Sequence, residues 1–123
     1  RPASARLLLG DLAALDTPHG APQPVPHLPD RGAVLGLRYV TQGSALGATQ
    51  LLPRVLALGV QAARGGAFLT HHAGCTREWP LFLSQLEGAE LAAAELDNLE
   101  ISACRGFELV GECLRSQSCA MEV

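Results

Sequence analysis

Residues 36–48 read Gly-Leu-Arg-Tyr-Val-Thr-Gln-Gly-Ser-Ala-Leu-Gly-Ala, a helical pattern carrying glycines at a spacing that constrains everything around it. At 100° per residue, Gly36, Gly43 and Gly47 fall on one narrow arc of a helix, and Arg38, Gln42 and Thr49 point away from it. Each glycine in a helix interior costs about 0.5–1 kcal/mol relative to alanine, so three on one arc forgo roughly 2–3 kcal/mol that an indifferent surface would not require. Something must approach that bare backbone closely. It is either another helix or a flat ligand.

Composition decides what kind of fold can hold such a stripe. Aromatic residues make up 4% of the 123, while Leu, Ala and Gly dominate, which favours helices over a sheet rich in aromatic and β-branched side chains. The expected fold class is all-α, with residues 1–123 forming a single helical domain around one core. The formal net charge is −3, and every basic residue is an Arg, scattered from Arg1 to Arg115 without a cluster. This pattern argues against nucleic acid or an anionic membrane surface as a partner. The apolar run from Arg6 to Leu15 is broken by Gly10 and Asp11, so it is too short and too polar to span a bilayer.

Four cysteines, Cys75, Cys104, Cys113 and Cys119, contain no Cys-x-x-Cys pair. In a chain this long and apolar, with no visible secretory segment, they read as reduced thiols of a soluble cytoplasmic protein. His19 and His27 read as solvent-exposed loop residues, because no partner stands at metal-ligand spacing.

In chain order, Leu7, Leu8, Leu12 and Leu15 recur at near-helical spacing and predict a short amphipathic helix over 4–15. Pro18, Pro22, Pro24, Pro26 and Pro29 preclude a helix from Asp16 to Asp30 and predict an extended linker. Asp30 is placed to cap a long helix from about Arg31 to about Leu58, which Pro53 should kink because it lacks an N–H and crowds the carbonyl four residues back. Gly59 follows that helix, Gly65-Gly66 close the next turn, and residues 67–76 read as a loop carrying His71, His72 and Cys75. Residues 78–87 predict a short helix with Trp79, Phe82, Leu83 and Leu86 on its apolar side and Gly88 as its stop. From Ala89 to about Arg115, Ala92, Leu96, Leu99, Ala103, Phe107, Val110 and Leu114 recur at helical spacing and predict the wide core face of a long final helix. Residues 117–123 carry too little pattern to place.

The segment Tyr39-Val40-Thr41-Gln42-Gly43-Ser44-Ala45-Leu46-Gly47-Ala48 resembles the distal-helix motif of bacterial haem oxygenases, in which a Tyr-Val pair precedes a Gly-Ser-x-Leu-Gly-Gly/Ala core. The order of the surrounding elements is similar too: the leucine-rich helix, the proline-rich linker, the kinked helix, the Trp79-x-x-Phe82 helix and the final helix containing Phe107. The resemblance runs over nearly all of the chain, and its specific part is about ten residues.

The resemblance implies a haem-oxygenase-like multihelical domain corresponding to the family's later helices, with the N-terminal helices and the proximal iron-ligating His upstream of the matched residues. It implies that the stripe faces a haem plane, so that Tyr39, Gly43, Ser44 and Gly47 bind haem. Gly43 and Ser44 would then act in catalysis, Ser44 by holding water near the oxygen site. Haem would be both substrate and cofactor, cleaved to biliverdin with release of iron and carbon monoxide, using electrons from an external reductase. Where the family presents basic residues to the haem propionates, this chain has Phe82 and Leu83, and Arg77 and Arg105 are substitutes by residue type alone. The alternative within the same fold is a non-catalytic haem- or bilin-binding protein. Without a ligand, the stripe is a helix–helix contact.

Overall fold

The computed structural model describes residues 3–20, 24 and 26–121, with side chains over 4–20, 24 and 26–115. Pro22, the Cys119 side chain and residues 122–123 lie outside the described residues. The protein is all-α. Its elements are α1 (Ala3–Ala14), α2 (Arg31–Ala57), α3 (Ala67–Gly74), a 3-10 turn over Cys75–Glu78, α4 (Trp79–Gly88) and α5 (Ala93–Met121). Among the described residues there is no strand, only isolated bridges from Gln61 to Arg64 and Gly65 in the turn after α2. No helix among them is long and apolar enough to cross a membrane. The elements fall into two compact units, one of Arg1–Pro24 with Gln42–Leu83, the other of Val25–Thr41 with Ser84–Val123.

In the second unit, the start of α2 is fastened to α5. Asp30 Oδ1 accepts the Ala33 N–H at 3.0 Å, as the sequence predicts for a cap, and its Oδ2 accepts Asn98 Nδ2–H at 2.8 Å. The hydrogen bond from Asn98, then that from the Ala33 backbone, hold the Asp30 carboxyl below its ordinary value. α5 begins at Ala93 rather than at Ala89, because Ala92 acts as its cap. Glu95 Oε1 accepts the Ala92 N–H at 3.0 Å, the reciprocal arm of a capping box, and Leu96 N–H bonds back to the Ala92 carbonyl. Arg31 Nε donates to Glu95 Oε2 at 2.7 Å, tying the two helix starts together.

The expected core face of α5 is only in part its buried face, with Leu99 and Ala103 half-buried beside α2 and its larger side chains turned outward. Leu96, Phe107, Val110 and Leu114 stand 53, 59, 52 and 64% exposed, while Ser102 is buried at 7% and Gly106 is buried too. The reason is how closely the helices approach. A Cβ on Gly32 would stand 2.7 Å from the Glu95 carbonyl carbon, and one on Gly36 would collide with the Leu99 carbonyl oxygen and stand 3.1 Å from the Ala103 nitrogen. On the α5 side, a Cβ on Gly106 would lie 3.2 Å from Val40 Cγ2. Only small residues fit between backbones this close, and Ser102 uses the contact to donate its hydroxyl to the Ala33 carbonyl at 2.6 Å.

In the first unit, the 67–76 segment expected as a loop is α3 followed by the 3-10 turn. Its start is organised from α1. Asp11, 8% exposed, accepts the Ala67 N–H at 2.9 Å on one carboxylate oxygen and the Phe68 N–H at 2.8 Å on the other. A carboxylate at this position satisfies two otherwise orphaned donors and lies at the positive end of the helix dipole. Thr70 Oγ1–H adds a bond to the Gly66 carbonyl at 2.8 Å. Within this unit α2 buries Ala45 and Ala48, and α4 buries Phe82 at 1% exposure, its ring 5.6 Å from that of Trp79. α2 continues past Pro53 to Ala57, so the proline removes one donor without ending the helix. The helix stops at Gly59, whose φ of +92° is a left-handed conformation that glycine adopts without strain.

Candidate functional site

All the motif residues lie on α2, and the two units divide them. Tyr39 is in the second unit with its side chain 39% exposed. Gly43, Ser44 and Gly47 are in the first. At Gly43 the bare backbone receives the Trp79 indole, since a Cβ there would stand 3.3 Å from Cη2 and 3.4 Å from Cζ3. Gly47 differs. Beyond the adjoining backbone of its own helix, no heavy atom of the described residues comes within 4 Å of where its Cβ would be, and the residue is exposed. Two glycines of the stripe therefore have intramolecular neighbours, Gly36 against α5 and Gly43 against Trp79.

Ser44 is held from α3. Its Oγ lies 2.6 Å from His72 Nε2, with the direction of the hydrogen bond set by the imidazole tautomer. The His72 ring stacks on Phe68 with centroids 5.1 Å apart and planes 18° from parallel. Burial, and then the neighbouring His71, push the His72 pKa below its ordinary value, which favours the neutral ring at pH 7. Beside it, Thr76 Oγ1–H bonds the Ala73 carbonyl at 2.6 Å and reaches the Ala45 carbonyl of α2 at 3.4 Å. His71 Nε2 lies 3.8 Å from Cys75 Sγ. Sequence reasoning placed His72 in a loop and so missed its bond to Ser44. The available signal was Asp11, an acid inside an apolar helical run with no local use.

The arrangement can fix one hydroxyl. A neutral imidazole bonded to Ser44 restrains the serine rotamer beside open backbone at Gly47, where a water or a small polar group can take a further bond. Among the described residues no group of three or more His, Cys, Asp or Glu side chains could hold a metal ion. Cys75, Cys104 and Cys113 are free thiols. Arg105 is engaged by Glu108 at 3.2 Å and Glu112 at 3.4 Å on its own helix, and Phe82 is core rather than site. Comparison with protein-family models, with curated proteins and with solved structures returns no match.

Proposed function

We propose that this chain is a haem oxygenase-like protein that cleaves haem oxidatively to biliverdin, releasing iron and carbon monoxide on electrons from an external donor. The observation that carries the reading is Gly47. A glycine inside a helix costs about 0.5–1 kcal/mol relative to alanine, and no described residue uses the space this one leaves open. We take a bound group as the user of that bare backbone, and the resemblance of the surrounding Gly-Ser-Ala-Leu-Gly string to the distal helix of bacterial haem oxygenases suggests a flat macrocycle as its class.

In this reading Gly47 lets the haem plane approach α2. Ser44, oriented by His72, offers a hydroxyl that holds water at the reaction face. Gly43 acts through the Trp79 indole that covers it, by letting that ring lie against α2. Haem, when bound, supplies the redox-active iron and the ring bond that is broken. None of the described residues is assigned as a ligand that would hold the haem iron. A non-catalytic haem- or bilin-binding protein of the same fold is the second reading.

Haem titration followed by a chemical reductant separates these readings. A Soret band with subsequent biliverdin absorbance and carbon monoxide release is the outcome expected of the oxygenase. A Soret band without product selects the binding protein. No haem-dependent spectrum at all leaves the stripe as a packing device.

A further inference from the structure

In the second unit, a cavity of about 370 Å³ opens between the linker that precedes α2 and the middle of α5. That volume lies within the roughly 300–1,000 Å³ typical of small-molecule sites. Pro26, His27 and Pro29 line it from the linker, Ala33 from α2, and Asn98, Ile101, Ser102 and Arg105 from α5. Among the described residues no carboxylate lines it.

Three features of this cavity agree on a ligand class. Ile101 is 65% exposed on its wall, so an apolar body entering there removes a large aliphatic surface from water. Two polar side chains of the lining are already engaged within the protein, the Ser102 hydroxyl with the Ala33 carbonyl and Asn98 Nδ2–H with Asp30 Oδ2. The Arg105 guanidinium, with its side chain 47% exposed, pairs only with Glu108 and Glu112 along its own helix surface among the described ion pairs. Both of those bonds are made by Nη1 and exposed pairs of that kind contribute little, so the guanidinium can also meet a further carboxylate through two parallel N–H bonds. The proline wall is stiff, which keeps the pocket shape in the absence of a ligand.

We propose that this cavity is a binding site for a small monocarboxylate with a flat apolar body, the body between Pro26, Pro29 and Ile101 and the carboxylate on Arg105. The site is independent of the α2 glycine motif and of any haem chemistry.

The probe is 1-naphthoate, with 1-naphthylmethanol as its uncharged counterpart, titrated into ¹⁵N-labelled protein. Saturable amide shifts are expected at residues 27–33 and 98–105. Arg105→Gln, at an exposed helix position, should weaken 1-naphthoate at least about fivefold and leave 1-naphthylmethanol unchanged. Ile101→Ser, which removes apolar surface without adding charge, should weaken both by a similar factor, with an unchanged far-UV spectrum showing that α5 persists. The proposal is overturned if shifts at those residues do not saturate. It is equally overturned if Arg105→Gln keeps wild-type affinity for 1-naphthoate, or if that variant loses both probes alike.

Discussion

Gly36 and Gly47 occupy the same arc of one helix by spacing, yet their surroundings are opposite. At Gly36 the Leu99 carbonyl of α5 fills the place a side chain would take, and at Gly47 no described residue outside the adjoining helix backbone stands within 4 Å of that place. The first glycine is explained by packing inside its own unit. The second forgoes the same helix propensity with no intramolecular return. A repeated residue in a sequence thus need not have a repeated cause, and the pair invites tests that treat the two ends of α2 separately.

The largest effect is expected from Gly36→Leu, which drives a side chain into the α5 backbone. It should destabilise the protein by about 3 kcal/mol, the upper end for overpacking, as a lowered urea midpoint. A midpoint near wild type would mean that α2 and α5 separate more easily than the geometry implies. Next comes Asp11→Ala, which deprives α3 of its charged cap and should cost about 2 kcal/mol, with Asp11→Asn falling between it and wild type. Fluorescence of Trp79, the single tryptophan, reports this unit.

Gly47→Ala should move stability the other way, raising it by about 0.5–1 kcal/mol through helix propensity. Gly47→Leu sharpens the contrast: if the open face takes haem, this variant keeps the fold and loses haem affinity. Unchanged haem binding in Gly47→Leu would remove that face from the site.

The smallest expected effect is the response to acid, and it should again differ between the units. His72 is held below its unfolded value, so near pH 6 the folded state binds fewer protons than the unfolded one. Its contribution is complete above the unfolded pKa of about 6.5 and declines as the pH falls below that value. Asp30 and Glu95 are depressed instead, Glu95 chiefly by its bond to Arg31, so their contribution persists through this range and is lost only as pH falls through their folded values, below the ordinary carboxylate range. The urea midpoint followed by Trp79 should therefore drop slightly between about pH 7 and 5.5, and His72→Phe should flatten that slope. An identical slope in the variant would assign the titration elsewhere.

Local signals were legible in the sequence, and remote ones were not. Asp30 could be named as a cap because its acceptor and its donors are three residues apart. The ends of α1, α2 and α4 followed from periodicity and from Gly59 and Gly88. α3 stayed hidden because Asp11 is 56 residues from the N–H it satisfies. The buried face of α5 was misread because leucines and Phe107 outweigh Ser102 and Gly106 on any hydrophobic scale, while at backbone contact distance size decides. In the candidate site, the stripe was visible and its division among α5, Trp79 and open space was not. Ser44 was singled out, and its partner His72 was lost with α3.

The Asp11 cap also bears on the order in which the chain assembles. α3 is eight residues long, well under the roughly 12–15 at which an isolated helix becomes even marginal in water. It acquires its first-turn acceptor only when α1 arrives across that long stretch of chain, so the entropy of closing the loop is incurred before the helix exists. α3 is therefore a late structure in folding, and the Ser44–His72 bond, which hangs from it, is later still. Loss of the cap would then quicken unfolding far more than it slows folding.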